Sequence, residues 1–273
     1  MTRFALVATT VLAPMLVTGP MFAGVRIQME NTDLGTNKTT TQVILMDNTR
    51  LRVDSDANTS MMFLTDGGRN RMVILDKARN TYQEIDEQMM KQMGEQMSGA
   101  MAQLDAQMKN MPPEQRALME KMMKGKMPQA SAPAPKTVYT AKGSGAVNGF
   151  SCTKYEGVRG AEKVSEICAA SASQIKVAPG DYQVFEKMKE FTSSIQNAMK
   201  NSPFGASMQS SVADAGFTGF PAQTVNFKNG QAADRMELKS VTNASFSNAD
   251  FSTGTAKKVE MPAMPGGPQG KQR

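Results

Sequence analysis

Residues 72–93 read Met72-Val-Ile-Leu75-Asp-Lys-Ala-Arg-Asn80-Thr-Tyr-Gln-Glu-Ile85-Asp86-Glu-Gln-Met89-Met-Lys-Gln-Met93, and the hydrophobic period changes inside them. Met72 to Leu75 is a short apolar run closed by a polar turn at Asp76 to Asn80, and Thr81 to Ile85 follows as a second short run, so both predict strands. From Ile85 onward the apolar positions are Met89, Met93, Met97, Met101, Leu104, Met108 and Met111. They advance by three and four, the spacing that gathers side chains on one stripe of a helix. The switch at Asp86 therefore separates a sheet-forming part of the chain from a helical one.

Working outward, Val25 to Glu30, Thr41 to Met46, Thr49 to Asp54 and Met61 to Leu64 alternate or run apolar between turn residues, which describes an antiparallel meander. On the other side, Asn110-Met-Pro-Pro113 ends the first helix, and Pro113 suits the first position of a second. Leu118, Met119, Met122 and Met123 give that helix its apolar face, so residues 86–127 predict a Met-rich helical hairpin. A Pro/Ala linker at 128–136 leads back to a strand at Thr137 to Lys142. Asp181 can cap one further amphipathic helix carrying Tyr182, Phe185, Met188, Phe191, Ile195 and Met199. Phe220 to Phe227 and Arg235 to Thr242 form a closing pair of strands around Lys228-Asn229-Gly230. Strands, helices, then strands in one stretch of residues 24–260 predict a single α+β domain.

The two ends read differently. Arg3 followed by the apolar run Phe4 to Val17, then Gly19-Pro20 and small Ala23, predicts a signal peptide over 1–23 with cleavage before Gly24. That places the mature protein in the periplasm or outside the cell. The run is too short for a spanning helix, which needs about 20 residues, and Pro14 interrupts it. No transmembrane segment is expected in the mature chain. Residues 261–273, rich in Pro and Gly, read as a disordered tail. The net charge of +6 is scattered, tryptophan is absent and only four tyrosines are present, so nucleic acid is not an expected partner.

Two cysteines in an exported chain predict a structural disulfide. Cys152 and Cys168 flank a hairpin, and a turn centred on Gly160 would set Cys152 against Cys168 and Lys154 against Glu166.

Leu51-Arg-Val-Asp54, Met72-Val-Ile-Leu-Asp76, Thr81-Tyr-Gln-Glu84, Val147-Asn-Gly-Phe-Ser-Cys-Thr-Lys-Tyr155, Ser165-Glu-Ile167 and Gly219-Phe-Pro-Ala222 together resemble the lipoprotein-carrier fold (LolA/LolB-like). In particular they resemble an uncharacterised domain-of-unknown-function family of secreted bacterial proteins that shares its features. The resemblance implies a curved antiparallel sheet, a half-open barrel with an apolar cavity and helices across its mouth. The mature chain departs from it by starting directly in a strand and by its long Met-rich hairpin.

Catalytic chemistry finds little to work with. The chain has no histidine, which removes His-based triads and most zinc sites. There is no GxSxG, and Gly143-Ser-Gly-Ala-Val-Asn-Gly149 has the wrong glycine spacing for a dinucleotide loop. Asp54-Ser-Asp-Ala-Asn58 imitates a calcium loop, but Thr59 stands where glycine is required. The expectation is a non-enzymatic protein without a cofactor, holding a hydrophobic ligand such as a lipid or lipoprotein acyl chain between sheet and helices. The candidate ligand-binding residues are Met89, Met93, Met97, Met101, Leu104 and Met108, because thioether side chains make a soft, adaptable apolar surface. The same stripe leaves two alternatives open. One is copper(I) held by Met89, Met93, Met97 and Met101; the other is a protein–protein interaction module.

Overall fold

Two Asn-Gly pairs show how the sheet is assembled. Asn148-Gly149 (φ 48° and 85°) and Asn229-Gly230 (φ 53° and 77°) adopt the left-handed backbone that two-residue hairpin turns demand. Each joins long neighbouring strands. In the computed structural model, residues 21–55, 58–89, 137–199 and 216–260 are described, together with Lys91, Gln92, Glu95, Gly99, Gln103 and Pro112.

Six strands come first: β1 (Phe22–Asp33), β2 (Thr39–Met46), β3 (Arg50–Asp54), β4 (Thr59–Asp66), β5 (Arg69–Asp76) and β6 (Thr81–Asp86). After the Met-rich segment come β7 (Thr137–Val147), β8 (Phe150–Arg159), β9 (Glu162–Ala170), helix α1 (Pro179–Met199), β10 (Phe220–Lys228) and β11 (Gln231–Phe246). A short 3-10 helix η1 (Asn248–Phe251) and β12 (Lys257–Lys258) finish the described chain. All twelve strands form one sheet in the order β12-β6-β5-β4-β3-β2-β1-β11-β10-β9-β8-β7. Every pairing is antiparallel except β12 with β6. The fold is therefore α+β, with one large sheet as expected. It is an open sheet ending at β12 and β7, and no closure into a barrel is seen among the described residues.

Alternation sorts the strands into two faces. On one, Val25, Ile27, Met29, Ile44, Met46, Leu51, Phe63, Cys152, Cys168, Ala222 and Leu238 form a continuous core with Val184, Phe185, Phe191 and Ile195 of α1. The opposite face carries smaller clusters. Leu45 and Phe246 pack with Phe251 of η1, and Met62, Val73 and Leu75 pack beside Ala256. The segment from η1 to β12 thus straps the second face. It is pinned where Arg50 stacks on Phe251 at 4.3 Å and Arg52 donates to the Asp250 carbonyl at 2.7 Å. Sequence reading missed this strap, because its hold is two arginine contacts and a few apolar side chains.

Three local expectations are corrected. α1 begins at Pro179, so Asp181 lies inside the first turn and is not the cap. The Tyr182 amide accordingly donates to the Ala178 carbonyl at 3.0 Å. β7 runs on to Val147 through an irregularity at Ala141/Gly143, where a strand ending at Lys142 was expected. In the cysteine hairpin, a register shift beyond Gly157 sets Lys154 against Cys168 and Glu156 against Glu166. Cys152 and Cys168 are still bridged, diagonally, with Cα atoms 5.4 Å apart. The two facing glutamates are held by Lys163, at 3.8 Å from Glu156 and 2.5 Å from Glu166, and by Lys142 at 2.9 Å from Glu156.

Candidate functional site

Cross-strand register turns the alternation into two apolar rows that run across the helix-covered face. The first is Val25, Met46, Leu51, Phe63, Met72 and Ile85, one residue from each of β1 to β6. The second is Ile27, Ile44, Val53, Met61, Ile74 and Gln83. Polar residues border them on both sides. Thr65 pairs with Asn70, whose amide reaches Glu87 at 3.3 Å, and Thr59 pairs with Asp76, which pairs with Thr81.

α1 lies over β2, β3 and β4. Phe191 packs on Phe63 with ring centres 5.5 Å apart, so the first row is sealed up to β4, while Val53 and Met61 of the second are already half-buried. Beyond β4 both rows are less buried. Leu51 and Phe63 are 1% and 0% exposed, Met61, Met72 and Ile85 are half-buried, and Ile74 is 37% exposed. With strands about 4.8 Å apart, the step from β4 to β6 spans a less buried band about 10 Å wide, made by Met72, Ile74 and Ile85 with Gln83 at its margin. An apolar band with polar margins can hold an apolar ligand or a further helix.

The Met-rich segment springs from the edge of this band. Asp86 ends β6, and its Oδ1 accepts the Met89 amide at 2.7 Å, which opens a helix at Glu87. A carboxylate in this position satisfies an amide that has no partner in the first turn. Met89 is half-buried and helical. Met93, Met97, Met101, Leu104 and Met108 lie outside the described residues, and with them most of the copper(I) set. The structure brings Met61, Met72, Ile74 and Ile85 to the place where the Met-rich segment starts. None of the four had been singled out as a site residue. Their signal was the strand alternation, which names a face but not what lies over it.

The charged groups behind the band, on the strapped face, are mostly spent on one another. At the same strand ends a half-open cavity of about 370 Å³ is lined by Asp66, Arg69, Arg71, Glu84, Asp86 and Gln88. Glu84 is bound there by Arg71 at 3.6 Å and by Lys258 of the strap at 3.3 Å. At Asp54, burial alone would raise the carboxyl. A hydrogen bond from Ser60, with Lys77 at 2.9 Å and Arg52 at 3.1 Å, outweighs it and holds the group below its ordinary value. The supposed calcium loop thus opens with a carboxylate already matched by two cations. Tyr182, at the other end of α1, is pushed well above the usual phenol range, first by burial and then by Glu186. Among the described residues no group of three His, Cys, Asp or Glu side chains could hold a metal, and no helix is long and apolar enough to cross a membrane.

Comparison with known proteins agrees with a non-committal reading of this chemistry. A family model described as "Domain of unknown function (DUF4412)" matches residues 60–254, from β4 to just past η1. The chain belongs to this family. Among solved structures, one titled "Structure of PNGF-II in C2 space group" aligns with TM-score 0.41 and 9% identity, over 89% of this chain and 31% of that one. The MucA/MucB complex of Pseudomonas aeruginosa aligns with TM-score 0.38 and 9% identity, over 87% of this chain and 58% of that one. The chain thus spans less than two thirds of either. Likeness at this level gives the LolA/LolB-like reading no firm support. No curated protein matches the sequence.

Proposed function

We propose that the protein is an exported, non-catalytic binder that holds an apolar ligand, a lipid or acyl chain, between the uncovered band of β5–β6 and the Met-rich segment. The observation that carries this reading is the loss of burial from fully buried Phe63 to half-buried Met72 and Ile85 and exposed Ile74. Leaving apolar side chains such as Ile74 in water forgoes about 25 cal/mol for each Å². The band therefore favours an apolar cover.

The sequence offers the second wall. Gln88, Lys91, Gln92, Glu95, Gly99 and Gln103 are helical and exposed. A helix of about 3.6 residues per turn continued through these positions would place Met93, Met97, Met101, Leu104 and Met108 on the opposite side, with Met89 at the margin. Methionine suits a wall that must fit ligands of differing shape, because it is unbranched and polarizable.

The test is a titration of delipidated protein with a fluorescent fatty-acyl probe, alongside Ile74→Asp. Saturable uptake by the wild type that the variant loses supports the reading. If uptake is absent, or persists unchanged in Ile74→Asp, the band does not hold the ligand. Stoichiometric binding of copper(I) to the same preparation, without probe uptake, would move the assignment to the thioethers.

A further inference from the structure

The sheet sorts its methionines by depth. Met29 is 1% exposed, and Met46 and Met62 are fully buried. Met61 of β4 and Met72 of β5 are half-buried instead. Met61 pairs with Ile74, and Met72 stands between Phe63 and Ile85 in its row. The two thioethers are therefore diagonal neighbours on the band, within reach of each other for side chains of this length.

The apolar residues beside them on the same face are β-branched. Val53 pairs with Met61, and Ile74 and Ile85 flank Met72 across and along the strands. A β-branched side chain at either position would suit a strand better than methionine does. What a thioether adds is the capacity to turn from apolar to polar by gaining a single oxygen. The chain has little else for a peroxide to attack. It carries 25 methionines and no tryptophan or histidine, and both of its cysteines are bridged.

We propose that Met61 and Met72 form a sulfoxidation site through which a hydroperoxide releases the apolar ligand of the band. This rests on the binding reading above. With hydrogen peroxide, the sulfur lone pair attacks one peroxide oxygen and the O–O bond breaks. The sulfur gives up two electrons and keeps that oxygen as a sulfoxide, while the other oxygen leaves as water. The new oxygen is a hydrogen-bond acceptor that an acyl chain cannot satisfy, so covering it again costs desolvation. The buried Met29, Met46 and Met62 keep the core intact while the band changes character. Met188 of α1 and Met236 of β11 are also half-buried, but they stand away from the band. Their oxidation leaves the ligand in place.

The experiment treats the purified protein with a graded series of hydrogen peroxide. Peptide mass mapping reads the oxidised fraction at each methionine, and uptake of the fluorescent fatty-acyl probe is measured in parallel. Met61 and Met72 should oxidise about tenfold or more faster than Met29, Met46 and Met62, whose sulfurs are reached only when the core opens. Probe affinity should fall about tenfold as these two sites fill, which corresponds to about 1.4 kcal/mol. The double variant Met61→Leu with Met72→Leu, compared with its own untreated sample, should lose much less of its uptake to peroxide. Met72→Gln, which fixes a polar side chain there, should weaken uptake without peroxide, whereas Met236→Gln should not. Equal oxidation of band and core methionines overturns the proposal. So does a double variant as peroxide-sensitive as the wild type, or wild-type uptake by Met72→Gln. A protein that takes up no probe before treatment contradicts the binding reading and this regulation with it. Uptake that survives oxidation of both sites overturns the regulation alone.

Discussion

Side chains of one face, aligned across neighbouring strands, behave differently in its two halves. Under α1, across β1 to β4, Val25, Met46, Leu51 and Phe63 are sealed. Across β5 and β6 their continuations, Met72, Ile74 and Ile85, have similar character and identical orientation but are half-buried or exposed. Composition does not separate the halves; α1 packs over β2 to β4, with Phe191 on Phe63. One half is a folding core whose loss costs stability, and the other is a surface whose loss should cost binding.

Breaking that contrast should give its largest effect at Phe63. Phe63→Ala removes a fully buried ring stacked on Phe191 and should destabilise by about 3–5 kcal/mol in chemical denaturation. A loss below about 1 kcal/mol would mean that α1 does not seal this half. Replacing both Cys152 and Cys168 by serine should cost about 3 kcal/mol, given a sequence separation of 16, without changing ligand uptake. This marks the bridge as part of the covered half.

A smaller effect concerns Asp54 on the strapped face. Its folded carboxyl titrates lower than an unfolded one, so its contribution is present above the ordinary aspartate value of about 3.9 and is lost as pH falls through the folded value. Thermal melts taken through that acid range should therefore drop more steeply for wild type than for Asp54→Asn, and parallel curves would contradict the pairing with Lys77 and Arg52. The smallest stability effect belongs to Ile74→Ser, expected within about 0.5 kcal/mol of wild type because the side chain is already in part solvated. The same substitution should nevertheless weaken acyl-probe uptake. A variant that loses stability but binds normally would reverse the assignment of the two halves.

Much of this architecture was legible from residues alone. The strands from β1 to β6, the helix carrying Phe185, Phe191 and Ile195, and the Cys152–Cys168 bridge all follow from hydrophobic period and cysteine placement. Period identifies a face but not its partner, so it could not show that α1 packs over β2 to β4 or that Met72 and Ile85 stand in one row. Register was the other blind spot. A turn on Gly160-Ala161 rather than on Gly160 alone, together with one extra residue in β9, moves Lys154 from Glu166 to Cys168, and nothing in the local sequence marks either. The strap eluded the reading because its hold lies in Arg50 and Arg52, which a strand pattern assigns simply to polar positions. The Met-rich stripe was conspicuous in the sequence, and of its candidate site residues Met89 alone falls among those described.

The central claim, that the band on β5–β6 holds an apolar ligand, is tested most directly by native mass spectrometry of the protein purified gently from the exported fraction, beside Ile74→Asp. Wild type should carry a mass excess that passes into a lipid extract on denaturation and is absent from the variant. A wild-type mass equal to that of the disulfide-bonded chain alone would contradict it, and would leave the band as a seat for the Met-rich segment only.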